Sequence, residues 1–246
     1  MNETLALLTS HRSDRSYTDE PVSEEALSAI LEAARRAPTS SNAQHVSTVV
    51  VRDAERRARI AEYAGGQAWI AKAPVFVAVI LDFYKVGLGV ELAGQTTIFH
   101  ETVEGLLAGV TDVGIALATM MTAARSLGLG IVPIGGIRRN PKGMIDLLGL
   151  PPRSFPVVGL SIGHVQKPAG QKPRLAMETF RHDERYRTEG LPAGIAAYDA
   201  LLLQYWQQTG RADGKAWSAN TAEAYQKASH RPVCAVIKGQ GITHDK

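Results

Sequence analysis

LGLGIVPIGGIRRN, residues 127–140, is the stretch on which the fold turns. It follows a segment of helical length, from about Glu101 to Ser126, and passes through Gly128 and Gly130 into a short apolar extended run. A glycine pair and then Asn140-Pro141 follow, and Asn140 is expected to cap a short helix with proline at its first position. The glycines at 128, 130, 135 and 136 do not spell G-x-G-x-x-G. The order here is also helix to strand, the reverse of the dinucleotide fingerprint, so a Rossmann fold is not indicated. Gly135 and Gly136 would instead let backbone N–H groups at 134–136 approach a flat ligand closely.

Working outward, apolar residues at Ala26, Leu27, Ile30, Leu31 and Ala34 have the three-to-four spacing of an amphipathic helix over 23–37, which Pro38 ends. Residues 46–51 are β-branched and short, residues 53–64 read as a charged helix, and 75–81 and 155–162 are compact apolar runs typical of buried strands. Between them, 87–94 reads as a connection without pattern. Helices are expected at about 192–208 and 217–226, with a polar turn TGRADGK between them and a final apolar segment at 233–237. No repeat or composition break marks a second domain. The expectation is α+β: a single domain over 1–246, with a mixed, mainly antiparallel sheet flanked by helices and a C-terminal extension from about 190.

The 246 residues carry 27 Lys and Arg against 24 Asp and Glu, a formal charge of +3, which is too small an excess to argue for nucleic-acid binding. The single thiol, Cys234, has no internal partner, and no His/Cys/Asp/Glu spacing suggests a metal. Residues 105–123 are nearly long enough to cross a bilayer. Asp112 and the many small residues argue instead for a buried core or interface helix, in which Gly105, Ala108, Gly109 and Gly114 would admit another helix. A cytoplasmic protein without nucleic-acid or membrane partners is expected.

Chemistry concentrates in four places. HRSDR at 11–15 packs an imidazole, two guanidiniums and a hydroxyl into five positions, a donor set suited to a phosphate. Lys172 and Arg174 flank Pro173 on a stiff extended segment. The run TSSNAQ at 39–44 offers Ser40, Ser41, Asn42 and Gln44, whose hydroxyls and amides could hydrogen-bond a ribityl chain or a polar ring edge. The fourth place is the glycine pair. Taken one at a time, a solvated turn and ordinary loops explain the first three.

Their order and spacing together resemble the nitroreductase family, in the subgroup of oxygen-insensitive NADPH nitroreductases and NADPH-flavin oxidoreductases. The resemblance runs from HRSDRSYTDEPVSEEAL through TSSNAQ, GGQ at 65–67, SLGLGIVPIGGIRRN and KPRL to the SHRP segment near the C-terminus. It implies a bound FMN held by His11, Arg12, Ser13 and Arg15 with Lys172 and Arg174 at the phosphate and ribityl chain. Ser40, Ser41, Asn42, Gln44 and Gln67 would contact the ribityl chain or ring, and the backbone of Ile134, Gly135 and Gly136 would face flavin N5. It further implies an intertwined homodimer with the flavin at its interface, so that 39–44 would serve the partner subunit's cofactor.

The implied reaction is ping-pong. NADPH delivers hydride to the flavin and leaves, and a nitroaromatic, quinone, flavin or similar small acceptor takes two electrons. No side chain is then expected as a nucleophile, because the cofactor carries the chemistry. Arg231, with Arg211 and Lys215 of the 210–215 turn, would receive the NADPH phosphate. Pro133 departs from the family pattern beside the ring pocket. Two other readings stand beside this one. One is a flavin carrier or sensor without turnover, and the other is a serine hydrolase using Ser161 of the G-x-S-x-G match at 159–163.

Overall fold

The computed structural model describes residues 2–229 and 232–243. Six of its helices begin the same way: a side-chain oxygen of Asn2, Ser23, Asp53, Asp82, Thr102 or Asn140 accepts the backbone N–H three residues on. That bond satisfies one of the donors a helix start leaves unpaired. The capped helices are α1 (Glu3–Thr9), α2 (Glu24–Arg35), α3 (Ala54–Tyr63), α5 (Phe83–Leu92), α6 (Val103–Ser126) and α7 (Pro141–Leu148), with the short α4 (Ala68–Lys72) between α3 and the second strand.

Four strands, β1 (Val46–Val51), β2 (Val75–Asp82), β3 (Gly130–Ile134) and β4 (Ser154–Gly163), form one sheet in the order β1-β2-β4-β3. Every pairing is antiparallel: Val46 lies opposite Leu81, Val75 opposite Ile162, and Ile134 opposite Gly159. Pro133 is tolerated because β3 is an edge strand, and Pro156 falls where the β2–β4 register shifts beside Val79 and Ile80.

Alternation along β2 divides the core. Val75, Val77, Val79 and Leu81 pack with Leu27 and Ile30 of α2 and Val113, Ala116 and Met120 of α6. On the other face, Phe76, Ala78 and Ile80 pack with Ile60 of α3, Ile70 of α4 and Met144 of α7. A strand buried on both faces must be apolar throughout, as this one is. Helix α6 is long and apolar enough to cross a membrane by length and composition, and here it lies on the sheet.

The chain clusters into two compact units, Met1–Ala169 with Arg231–Lys246, and Gly170–His230. The second contains α8 (Leu191–Gln208) and α9 (Trp217–Ser229). Tyr198, Leu202 and Trp206, four residues apart, are the buried stripe of α8, and Asp199 accepts the Ser218 N–H at 2.9 Å at the start of α9. The final apolar segment is a helix, α10 (Val233–Gly239), belonging to the first unit. Beyond it Ile242 is fully buried and the Thr243 N–H donates to the His100 carbonyl.

Three expectations are corrected. Residues 83–92 form α5 rather than a connection, capped by Asp82, because the glycines of FYKVGLGVEL blur the helical stripe. Gly105 and Gly109 admit the Phe99 carbonyl and the Leu81 side chain rather than another helix of this chain, while Gly114 faces open space. Ser161 lies inside β4, fully buried, whereas a nucleophile elbow needs a strand-to-helix turn with an exposed hydroxyl, so the hydrolase reading falls.

Candidate functional site

The 11–15 turn is built around its one acidic residue. Asp14 is buried, its N–H donates to the Ile131 carbonyl of β3 at 3.0 Å, and its Oδ1 accepts the Ala169 N–H at 2.9 Å. Arg12 Nε lies 3.3 Å from the same oxygen. Just beyond, the Tyr17 hydroxyl donates to the Asp14 carbonyl at 2.7 Å. Burial, with the Asp14 charge adding, pushes that phenol above its usual range, so it remains a neutral donor. From the other side the Arg125 guanidinium, at the end of α6, binds the Leu7 and Ser10 carbonyls and the Ser10 hydroxyl. Fixed at both ends, the turn leaves Arg12 and Arg15 exposed and His11 and Ser13 half-buried.

Arg15 connects this turn to the next element. Its guanidinium carbon sits 5.3 Å from the centroid of the Trp69 ring, a cation–π arrangement, and Trp69 is two residues beyond Gln67. Gln67 precedes α4 and donates from Nε2 to the Ala64 carbonyl at 2.9 Å. A Cβ on Gly136 would fall 2.2 Å from that same Nε2 and 2.8 Å from the Ala64 oxygen. Only glycine fits there. Ile134 ends β3, and Gly135–Arg139 form a single 3-10 turn held by Arg138, which donates to the Val157 carbonyl. Asp14 on β3, Arg15 on Trp69 and Gln67 against Gly136 thus draw three of the expected segments together.

Residues 40–44 sit elsewhere. They lead into β1, at the sheet edge opposite β3. The loop is held from below by Asp112 of α6, whose Oδ1 accepts the Ser40 N–H at 3.0 Å and whose Oδ2 lies 2.9 Å from His45 Nδ1. A carboxylate only accepts, so the imidazole supplies the proton of that bond. Ser41, Asn42 and Gln44 have φ of 50°, 54° and 53°, the left-handed region that costs about 1 kcal/mol or more for a side-chain-bearing residue. All three side chains are exposed.

In the second unit, Arg174 Nη1 donates to the Lys172 and Pro173 carbonyls, and Tyr198 donates to the Pro173 carbonyl at 2.9 Å. Lys172 Nζ and Arg211 Cζ lie 5.0 and 4.5 Å from the Trp206 ring centroid. Trp206 Nε1 donates to the Lys215 carbonyl at 3.1 Å. A cavity of about 480 Å³ opens beside this group, lined in part by Lys172, Arg174, Gln204 and Tyr205. The ammonium of Lys215 is 2.6 Å from Glu223, which Lys215 and Lys227 together hold down to about 2, so Lys215 is the more committed of the two cations in the 210–215 turn. Arg231 lies outside the described residues.

Sequence reasoning missed Trp69, Asp14, the His45–Asp112 pair and the Trp206 platform. A readable signal existed for one of them: a single carboxylate amid an apolar helix must find a partner, because an unpaired buried charge is costly. Nothing in linear spacing ties Lys172 or Arg211 to Trp206.

The chain matches the model of the nitroreductase family over residues 8–164 and that of the nitroreductase family C-terminal domain over residues 172–245. It is 42% identical to an FMN reductase [NAD(P)H] of Bacillus subtilis over the full length of both chains. With an oxygen-insensitive NADPH nitroreductase of Salmonella typhimurium it shares 33% identity over 98% of each. The solved structure of NfrA2 from B. megaterium superposes with a TM-score of 0.97 at 40% identity, covering 100% of both chains.

Proposed function

Because the chain belongs to the nitroreductase family, we propose that it is an FMN-dependent NAD(P)H oxidoreductase that uses NADPH to reduce nitroaromatics, quinones, flavins or similar small acceptors. FMN, when bound, supplies a two-electron relay between nicotinamide and acceptor, so no side chain need act as a nucleophile.

The residues present suit that group. Arg12 and Arg15, with His11 and Ser13, form the donor set a phosphate monoester needs, and guanidinium forks bind its oxygens bidentately. The side-chain-free surface at Gly136 beside the fixed Gln67 amide suits a planar ring with a polar edge. The observation that supports the reading is Arg15 resting on Trp69, two residues past Gln67, which brings one cation of the 11–15 turn to the segment that carries the Gln67 amide.

Lys172 and Arg174 are assigned to the same phosphate on the family resemblance. Ser40, Ser41, Asn42 and Gln44 belong to the partner subunit's flavin in an intertwined homodimer, a reading supported by the position of their loop at the opposite sheet edge. Arg231, together with Arg211 and Lys215 of the 210–215 turn, is assigned to the NADPH phosphate on the family resemblance. In this reading 1–246 works as one FMN-binding domain and acts in the cytoplasm.

Anaerobic titration tests it. Protein carrying FMN should bleach with NADPH, and faster than with NADH. A quinone or nitroaromatic should restore the colour. Arg15→Ala should weaken FMN binding at least tenfold. A flavin carrier would bind FMN and never bleach, and failure to bind FMN at all would remove the proposal.

A further inference from the structure

The 39–45 loop holds an unusual shape for its composition. Three of its residues, Ser41, Asn42 and Gln44, occupy the left-handed region although none is glycine. Within the loop the opposing bonds are few: the Asn42 N–H reaches the Thr39 carbonyl, the Ala43 N–H the Ser40 carbonyl, and the Gln44 N–H the Thr39 hydroxyl at 3.2 Å. These are turn contacts that an exposed segment exchanges freely with water. One carboxylate reaches both ends, and at the second end the Asp82 N–H also donates to the His45 carbonyl at 2.7 Å. Asp112 receives Ser40 at the start of the loop and His45 at its end, with side-chain exposures of 3% for Asp112 and 2% for His45.

The His45 ring is itself wedged, edge-on to Phe83 at 5.3 Å and stacked on Phe99 at 6.2 Å. Among the described residues no lysine or arginine pairs with Asp112, and its oxygens accept from Ser40 and face His45. Helix α6, packed on the sheet, therefore reaches through this polar residue to a surface loop.

We propose that Asp112 and His45 are positioning residues for the flavin: a buried clasp that pre-forms the 39–45 loop so that Ser41, Asn42 and Gln44 are already displayed for a cofactor when it arrives. The inference rests on the FMN reading above. A pre-formed loop spares the ligand the cost of ordering the 39–45 segment, so the clasp acts on FMN affinity rather than on the redox step. It acts through geometry more than charge. An asparagine at 112 can still accept from Ser40 with its oxygen and donate its amide to the other His45 tautomer.

The test compares three variants by FMN dissociation constant, by thermal midpoint of the flavin-free protein, and by amide exchange over 39–45 in the flavin-free protein. Asp112→Asn should bind FMN within about threefold of the parent. Asp112→Leu should bind at least tenfold more weakly, which is about 1.4 kcal/mol, with faster exchange at 40–45. Met120→Ala, equally buried on α6 but in the apolar core, should lower the midpoint without moving the FMN constant or the loop's exchange.

Should Asp112→Leu not yield folded protein, His45→Leu removes the other half of the clasp and is judged by the same readouts. Parent-like FMN affinity in the clasp variant overturns the proposal, and so does an equal loss of affinity in Met120→Ala. If the parent itself binds no FMN, the functional reading fails instead. The exchange comparison in flavin-free protein then still decides whether the clasp shapes the loop.

Discussion

A single phenol shows how the site is held at the level of the residue. Tyr17 donates to the Asp14 carbonyl in the middle of the cationic turn, and its burial raises its pKa above the ordinary value of about 10. The raised folded-state value has a definite consequence. The stabilisation is complete below the pKa of the unfolded chain and is lost as pH rises from there toward the folded value, because the unfolded tyrosine ionises first. Tyr17→Phe should therefore cost about 1 kcal/mol near neutrality through the lost hydrogen bond, and should flatten the fall in stability above pH 10. Urea midpoints from pH 8 to 11.5 measure both, and parallel curves for the two proteins would refute the link. Cations and hydroxyls of the site were legible as residue types at 11–15. Their arrangement was not, since it is set by Asp14 bonding to β3 and to Ala169, contacts far away in sequence.

Elements were easier to read than contacts because capping and periodicity are local. Ser23, Asp53 and Asn140 mark helix starts in the sequence and cap helices in the structure, and the extended runs at 46–51 and 75–81 become β1 and β2. The elements not anticipated, α1, α4 and α5, are short or interrupted by glycine, and tertiary contacts hold them. Helix α1 illustrates this: it buries no residue, and Arg125 at the far end of α6 takes the carbonyls of Leu7 and Ser10. Arg125→Met keeps the aliphatic stem and removes those bonds. Stability should drop by about 1–2 kcal/mol, amide exchange should rise across 5–10, and FMN should bind more weakly because the 11–15 turn follows directly. A variant with unchanged exchange at 5–10 would show that α1 is anchored otherwise.

At the scale of the whole molecule the decisive feature is what the first unit leaves uncovered. Leu88 and Leu92 of α5, Ile98 before the 99–101 turn, and Val103, Leu107 and Val110 of α6 are all exposed, Leu92 at 91% and Leu107 at 60%. They follow one another along consecutive elements, and Gly105 and Gly109 bring α6 against Phe99 and Leu81 on the inner side. Single exposed leucines need no explanation, but several along consecutive elements suit an association surface. The membrane-length apolarity of α6 has the same source: one stripe faces the sheet and the opposite stripe faces outward. In the proposed homodimer a second copy covers these residues, and since the loop at 39–45 and the glycine pair lie at opposite sheet edges, one copy's loop would reach the other's flavin. Leu107→Glu inserts a charge into the band without touching the core. The dimer dissociation constant, followed by analytical ultracentrifugation, should rise at least tenfold, and FMN affinity should fall in step as monomer accumulates. A variant that becomes monomeric yet binds FMN as tightly as the parent would show that each subunit completes its own site, and the assignment of residues 40–44 to the partner's cofactor would be lost with it.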